Sequence, residues 1–303
     1  MGADETVPGL IVRTQSGFFE IDTPAGRVVA KVRGRLKKER MGRGLAVVGD
    51  RVHVRLSGDG TATIESIEPR SRVLSRRDPG RPVEQVIVAN PDQAVFVLAC
   101  ADPDPNPRTL DRLLVAAERG GIPALICANK IDLVHKGDAR NFFSDYPRIG
   151  YPVFFTSAAT GAGMKELRAA LRDRVSVLAG PSGVGKTSLL NRLEPGLGRR
   201  TMEVSEATRE GKHTTVVAEL LPLSGGGHIV DTPGLKAFAL WDIEPEEVDA
   251  YFPEIRGRVA GCAFSDCSHT HEPGCAVVQA VERGEISPLR YDSYLRIRSG
   301  DER

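Results

Sequence analysis

The sequence contains a glycine-rich stretch that could bind phosphate groups. Residues 180–187 read Gly-Pro-Ser-Gly-Val-Gly-Lys-Thr and follow the apolar run Val175–Ala179. Glycines let a backbone wrap a phosphate with its N–H groups, and a following helix N-terminus favours anions. The lysine of such a loop reaches the β- and γ-phosphates, and the threonine hydroxyl binds Mg²⁺. The predicted nucleotide contacts are Gly180, Pro181, Ser182, Gly183, Val184, Gly185, Lys186, Thr187 and Ser188.

Two motifs that precede this loop could select the base. Asn129-Lys130-Ile-Asp132 directly follows an apolar run, and an aspartate there can accept hydrogen bonds from guanine N1–H and N2–H₂. Adenine lacks that pair of donors and would leave the carboxylate unpaired. We expect Lys130 to lie over the base. The later motif Thr-Ser157-Ala158 suits a loop whose backbone N–H meets the guanine O6.

Two motifs that follow the loop could bind Mg²⁺ and sense the γ-phosphate. The first is Asp231-Thr-Pro-Gly234, where Asp231 would hold Mg²⁺ through water and the Gly234 N–H would contact the γ-phosphate. The second lies in a polar stretch and contains Thr214 and Thr215. A threonine there can complete the Mg²⁺ shell while a γ-phosphate is present. We expect Thr215 to do so, with Thr214 as the alternative.

A cluster of cysteines near the C-terminus indicates a metal site. Cys262, Cys267, His269 and Cys275 supply the four ligands of a closed, structural zinc site. His271 is the competing candidate for the fourth ligand. The other two cysteines, Cys100 and Cys127, lie apart in apolar runs, so the pattern favours thiols and one zinc ion per chain over disulfides.

The order of these motifs is unusual, because the guanine motifs come before the phosphate loop. Such an order indicates a circular permutation, and in it the chain resembles the circularly permuted ribosome-biogenesis GTPases, most closely the ribosome small-subunit-dependent GTPase A family. The resemblance implies a multidomain α/β protein. It would have an OB-fold β-barrel over residues 1–74, a circularly permuted P-loop GTPase domain with a parallel sheet over 75–240, and a helical zinc-binding domain over 241–303.

The same resemblance implies an activity, a partner and two residue roles. The expected reaction is hydrolysis of GTP to GDP and phosphate, slow alone and stimulated by the small ribosomal subunit, whose rRNA the protein would bind during late maturation. Lys186 would stabilise the transferring phosphoryl group. Leu235 stands where Ras-like proteins carry a water-orienting glutamine, so the resemblance implies His213 as the catalytic residue. It also favours His269 over His271. Gly183 stands where potassium-activated relatives carry asparagine, which argues against potassium activation.

Short alternating segments in the N-terminal quarter predict a small β-barrel. An OB-fold, which binds nucleic acid, is the commonest barrel with five strands, and an SH3-like barrel is the alternative. The strands are expected at Gly9–Val12, Phe18–Ile21, Arg27–Val32, Arg51–Arg55 and Ala62–Ile67. Residues 31–43 carry seven basic side chains against one glutamate, and most of them fall in the predicted loop Gly34–Gly44. Such a cluster can bind a phosphate backbone.

The elements that must position the nucleotide motifs are long apolar strands alternating with helices, beginning near Gln85. This alternation predicts a parallel α/β sheet with helices on both faces. The charged, proline-bearing stretch Ser75–Pro82 resembles an exposed linker. Residues 241–303 contain few apolar side chains, so we expect zinc to hold this domain together.

Composition limits the remaining alternatives. The 303 residues carry 41 Lys and Arg against 40 Asp and Glu, so net charge indicates no partner. There is no apolar stretch of membrane-spanning length and no signal-peptide pattern, so we expect no membrane association and no secretion. The cysteine pattern indicates a reducing compartment, so we expect a cytoplasmic protein. We also expect a monomer. A GTPase switch with a protein or membrane partner outside the ribosome is the alternative function. A P-loop kinase for a small metabolite is a third, and it would not need Asn129–Asp132.

Overall fold

The chain forms two compact units, each assembled from separate segments. The computed structural model describes residues 6–15, 17–34, 46–57, 62–77, 84–198, 219–231 and 243–301. The first unit comprises Met1–Ala94, Arg168–Leu178 and Thr187–Ala237, and the second comprises Val95–Leu167, Ala179–Lys186 and Phe238–Arg303. Both units therefore combine residues that the sequence analysis assigns to different domains, and the predicted domain boundaries stay predictions.

The first unit begins with a closed five-stranded barrel. Its strands are β1 (Thr6–Gln15), β2 (Phe18–Thr23), β3 (Gly26–Val32), β4 (Arg51–Leu56) and β5 (Ala62–Ile67). β1 pairs antiparallel with both β2 and β4, β2 with β3, and β4 with β5. β3 and β5 are parallel. This pairing closes the barrel in the order of an OB-fold and confirms that prediction over the SH3-like alternative.

The barrel interior is apolar because alternate residues of each strand point inward. Phe19 and Ile21 of β2 are buried, as are Val52 and Val54 of β4. The buried cluster consists of Ile11, Phe19, Ile21, Ala30, Val32, Ala46, Val52, Val54, Ala62, Ile64 and Ile67. The period-two pattern in the sequence therefore reports the inner face of the barrel correctly.

A hairpin follows the barrel where the sequence indicates a linker. β6 (Val73–Arg77) pairs antiparallel with β7 (Glu84–Ala89), so Ser75 lies in a strand and the linker interpretation is wrong for the start of that stretch. Residues 78–83 lie outside the described residues. A parallel bridge between Val48 and Val88 joins the hairpin to the chain that precedes β4. The pairing joins β6 to a later segment of the chain, so composition alone could not reveal it.

The nucleotide motifs lie on alternating strands and helices. The elements up to the phosphate loop are β8 (Gln93–Ala99), α1 (Pro107–Arg119), β9 (Ala124–Asn129), α2 (Lys136–Phe142), α3 (Asp145–Arg148), β10 (Val153–Phe155), α4 (Met164–Leu171) and β11 (Val175–Ala179). After the loop come α5 (Lys186–Leu193), β12 (Glu219–Pro222) and β13 (His228–Asp231). All seven residues of β8 are buried, as expected for a parallel-sheet strand covered on both faces.

Each unit contains part of this strand set. In the second unit, β10 pairs parallel with β9, and the strand order is β10–β9–β8. In the first unit, β11 pairs parallel with β13. β12 is antiparallel to β13, and its Glu219 pairs with Arg13 of β1. The sheet of the first unit therefore runs continuously from the strand before the phosphate loop into the OB-fold barrel.

The C-terminal region has an apolar core that the sequence analysis did not expect. Its helices are a 3₁₀ helix at Pro245–Tyr251, α6 (Pro253–Arg256), a 3₁₀ helix at Val259–Gly261, α7 (Ala276–Glu282) and α8 (Pro288–Arg298). The buried cluster consists of Val115 of α1 with Val248, Phe252, Ile255, Cys275, Val277, Ala280, Ile286 and Tyr294. Apolar packing against α1 therefore contributes to this region alongside any bound metal.

A buried arginine fixes α8 to α1 within the second unit. Arg290 donates to Asp111 at 2.7 Å and to both oxygens of Glu254 at 2.6 and 3.2 Å. Its guanidinium lies 4.6 Å from the centre of the Phe252 ring, and Tyr146 also donates to Asp111, at 3.0 Å. Burial alone would lower the pKa of Arg290, but the two carboxylates raise it above its ordinary value. Arg290 therefore stays positively charged, and Asp111 and Glu254 compensate that buried charge.

We predict that Asp111→Ala lowers the free energy of unfolding by about 3 kcal/mol, because it leaves a buried guanidinium under-compensated. Urea unfolding followed by circular dichroism measures the change. Asp292→Ala is the matched control, since this carboxylate is 42% exposed and pairs with arginines at the surface. We expect it to cost less than about 1 kcal/mol. Equal losses in the two variants would contradict the assigned role of the buried network.

Candidate functional site

The phosphate loop leaves β11 and enters α5, as the sequence predicts. Gly180, Gly183 and Gly185 all have positive φ angles, of 154°, 81° and 91°. A Cβ on Gly180 would lie 2.1 Å from the Val97 carbonyl oxygen. A Cβ on Gly185 would lie 2.5 Å from the side-chain nitrogen of Asn129. Glycine is therefore required at both positions, since the loop passes directly against neighbouring backbone and side-chain atoms.

Lys186 folds back over the loop that it follows. Its Nζ donates to the carbonyl oxygens of Gly180 at 2.7 Å and Pro181 at 2.5 Å. Burial lowers its pKa below the ordinary value for lysine. A phosphate placed in the loop would favour the charged form, so the side chain is suited to an anionic ligand. Thr187 is the second residue of α5 and is half-buried, whereas Ser182 and Ser188 are exposed.

Asn129 joins the phosphate loop to the two guanine motifs. It is buried at the end of β9, and its Nδ2 donates to the Val184 carbonyl at 2.9 Å. Its Oδ1 accepts from the Ala158 N–H at 3.3 Å and from the Thr156 hydroxyl at 3.2 Å. The structure thus brings together three motifs that lie far apart in the sequence. Thr156 is a supporting residue that the sequence analysis quoted but did not include in the site.

The remaining guanine-motif residues lie on the turn after β9. Lys130 has a positive φ of 62°, and its Nζ donates to the backbone carbonyl of Asp102. Asp132 is exposed in the first turn of a 3₁₀ helix at Ile131–Leu133. Ser157 is buried, and its hydroxyl accepts from the Thr160 N–H at 3.0 Å. Asp102 was missed by the sequence analysis, because its contribution is a backbone carbonyl that no side-chain pattern signals.

Several predicted residues cannot be placed. His213, Thr214, Thr215 and Gly234 lie outside the described residues. Asp231 ends β13, which fixes the position of its backbone. The roles of these residues therefore stay predictions.

The cysteine cluster converges on one point in the second unit. The ligand atoms of Cys262, Cys267, His269 and Cys275 all lie within 4.8 Å of one another. His269 Nδ1 is 3.5 Å from the sulfurs of both Cys262 and Cys275, and those two sulfurs are 3.9 Å apart. Tetrahedral zinc with Zn–S bonds of about 2.3 Å places its sulfur ligands about 3.8 Å apart. The cluster could therefore bind zinc.

His271 takes no part in the cluster. Its side chain is exposed, and its Nδ1 forms a hydrogen bond of 2.7 Å with the Thr270 hydroxyl.

The two remaining cysteines, Cys100 and Cys127, do not belong to the cluster. Burial raises the pKa of Cys100 to about 11 and that of Cys127 to about 12. Both are therefore protonated thiols at neutral pH, and the sulfur of Cys127 lies 3.2 Å from the Thr156 hydroxyl.

The ligand loop around His269 is held by side chains from outside the cluster. His269 has a positive φ of 59°, which is uncommon for a residue with a side chain. The hydroxyl of Tyr291 donates to the backbone carbonyl of His269 at 2.6 Å. The hydroxyl of Tyr294 donates to the backbone carbonyl of Ser268 at 2.8 Å. Glu272 accepts from three backbone N–H groups of the loop. These bonds fix the loop backbone independently of any metal.

Within the described part of the chain, no helix is both long and apolar enough to cross a membrane.

Comparison with known proteins covers nearly the whole chain. The RsgA N-terminal domain model matches residues 8–64, and the RsgA GTPase model matches residues 67–241. A relative from Gemmatimonas aurantiaca, named small ribosomal subunit biogenesis GTPase RsgA, is 49% identical over 294 residues, which cover 96% of each chain. One of the same name from Caldanaerobacter subterraneus subsp. tengcongensis is 39% identical, over 97% of this chain and 95% of the relative.

Two solved structures share the complete fold. YjeQ from Thermotoga maritima superposes with a TM-score of 0.83 at 34% identity, over 98% of this chain and 99% of that one. YloQ, described as a circularly permuted GTPase, has a TM-score of 0.77 at 31% identity, over 99% and 96% of the two chains. The motif order, the OB-fold barrel, the joined nucleotide motifs and these matches agree, and the chain belongs to the RsgA family of GTPases.

Proposed function

We propose that this protein hydrolyses GTP to GDP and phosphate and uses the nucleotide state to control its binding to the small ribosomal subunit during late maturation. The observation that carries the nucleotide part is the buried Asn129 amide, which holds the phosphate loop against both guanine motifs. The ribosomal part rests on the relatives, which are named for biogenesis of that subunit.

Guanine selection would come from Asp132. Its carboxylate is exposed on the turn that begins with Lys130, so it is free to accept the N1–H and N2–H₂ groups of the base. An adenine in the same place offers no such pair of donors. Lys130, Ser157 and Ala158 would complete the base pocket. The Ala158 N–H is engaged by Asn129 at 3.3 Å, a long bond that leaves room for a second acceptor.

Hydrolysis would depend on positioning and charge stabilisation. Lys186 and the amides of the phosphate loop would stabilise charge on the transferring phosphoryl group. Thr187, Thr215 and Asp231 would hold Mg²⁺, which supplies further positive charge there, with Thr214 as the alternative to Thr215. His213 would orient the attacking water in place of the glutamine that Leu235 replaces. We expect turnover to be slow alone and to rise when a partner positions His213 for the reaction.

The protein would also bind a zinc ion and ribosomal RNA. Cys262, Cys267, His269 and Cys275 would hold one structural zinc ion. Only 27 residues separate Gly234 from Cys262, so a change at the γ-phosphate sensor has a short covalent path to the zinc region. The barrel would contact rRNA through the basic stretch 31–43. At the start of this stretch, the Lys31 ammonium lies 4.6 Å from the centre of the Phe18 ring and Arg33 pairs with Glu65. We expect a monomer.

We predict that Asn129→Ala weakens GDP binding about 10- to 100-fold, because the Val184 carbonyl and the Ala158 N–H lose a buried partner. Titration with a fluorescent GDP analogue measures the affinity. Asn141→Ala is the matched control, since this asparagine is exposed on α2. It should bind GDP as the wild-type chain does. An Asn129→Ala chain with wild-type affinity and an unchanged melting temperature would contradict the proposed role.

We predict that the protein binds purified small subunits at least about tenfold more tightly with a non-hydrolysable GTP analogue than with GDP, a difference of about 1.4 kcal/mol. Sedimentation with the subunits measures both affinities. Charge reversal at Arg35, Lys37 and Lys38 should weaken binding and reduce its salt dependence. Equal affinities in the two nucleotide states would overturn the coupling. No salt-dependent RNA binding would favour a switch that acts on a protein or membrane partner.

A further inference from the structure

The imidazole of His269 has one nitrogen that the cysteine cluster does not use. Nδ1 faces the sulfurs of Cys262 and Cys275, both at 3.5 Å. Nε2 points away from them and is fully buried, and among the described residues it has no hydrogen-bond partner. A buried N–H without an acceptor is costly, and a ring free to choose its tautomer is a poor metal ligand. The site therefore needs an acceptor at Nε2.

One carboxylate lies in the right place. Asp249 Oδ2 is 3.5 Å from His269 Nε2, within ion-pair distance and about half an ångström beyond an ordinary hydrogen bond. The Asp249 side chain is 21% exposed, so most of it is shielded from competing water. The carboxylate belongs to the 3₁₀ helix Pro245–Tyr251, which is anchored by buried Val248.

We propose that Asp249 is a positioning residue for the zinc site: it accepts the Nε2–H of His269, fixes the tautomer that offers Nδ1 to the metal, and raises the affinity for zinc. The inference rests on the proposed zinc occupancy. Metal-binding histidines commonly donate their second nitrogen to a carboxylate in this way, and loss of that partner typically lowers metal affinity.

The surrounding contacts separate this role from a merely structural one. The backbone of the ligand loop is already held by Tyr291, Tyr294 and Glu272. None of these bonds involves Asp249. Removing the Asp249 carboxylate therefore leaves the loop supported and affects the orientation of the His269 ring.

The position of Asp249 in the chain gives the contact a second consequence. It lies 15 residues after Gly234, in the segment that leads from the predicted γ-phosphate sensor to the zinc ligands. The Asp249 side chain would thus connect His269 to that segment at a position that precedes Cys262 in the sequence. A shift of the 3₁₀ helix would be transmitted directly to the His269 ring.

The test is a zinc competition titration of the full chain against a chromogenic chelator. Asp249→Ala should bind zinc about 10- to 100-fold more weakly than the wild type. Asp249→Asn keeps an acceptor oxygen but loses the charge, so it should recover part of the affinity. Glu247→Ala is the matched control, because it removes an exposed carboxylate from the same 3₁₀ helix and should leave the zinc affinity unchanged.

A spectroscopic readout accompanies the affinities. Ring ¹⁵N chemical shifts of His269 in the zinc-loaded wild type should show a protonated Nε2, and those of Asp249→Ala should show a changed Nε2 environment. Wild-type affinity in Asp249→Ala would overturn the inference. If Asp249→Ala does not fold, a wild-type affinity and wild-type shifts in Asp249→Asn would overturn it equally. A wild-type chain that takes up no zinc would overturn the zinc assignment itself, together with the inference built on it.

Discussion

The nucleotide site depends on the side chain of one buried asparagine. Asn129 uses its donor on the Val184 carbonyl and its acceptor on the Ala158 N–H and the Thr156 hydroxyl. A buried amide whose nitrogen and oxygen are both hydrogen-bonded fixes its neighbours, because breaking any of these bonds leaves a polar group without water or partner. The phosphate loop, which leads into Lys186, and the turns predicted to read the base, which include Asp132, are consequently held in one arrangement.

A second constraint ties the C-terminal region to the nucleotide-binding elements of the same unit. Arg290 is neutralised by Asp111 of α1 and by Glu254, and an apolar cluster that includes Val115 packs around them. α1 follows the turn that contains Asp102, whose carbonyl accepts from Lys130. The turn predicted to read the base is therefore joined to the cysteine-bearing region through α1, and the predicted γ-phosphate sensor is joined to that region through the chain that follows Gly234. The permuted motif order makes the second of these connections covalent and short.

Sequence reasoning predicted most of the elements and could not predict their contacts. Buried strands such as β8 and β11 and the helix α1 are evident from apolar periodicity, and the loop and cysteine spacings predict nucleotide and zinc binding. The parallel pairing of β3 with β5, which distinguishes the OB-fold, joins strands far apart in sequence. The linker expected from Ser75 overlaps the end of β6, because the arginines there and the following prolines resemble an exposed connector. The link between Asn129 and Val184 spans 55 positions, and the Asp102 carbonyl and the Asp249 carboxylate act through geometry that no motif encodes.

We propose that this site is a GTPase switch whose activity the small ribosomal subunit controls. The most direct test is the rate of GTP hydrolysis by the purified protein with and without purified small subunits, with large subunits as the control. The account predicts slow turnover alone and a rise of at least about tenfold, or about 1.4 kcal/mol in the barrier, with small subunits only. Turnover that is unchanged by small subunits, or raised equally by large ones, would contradict it.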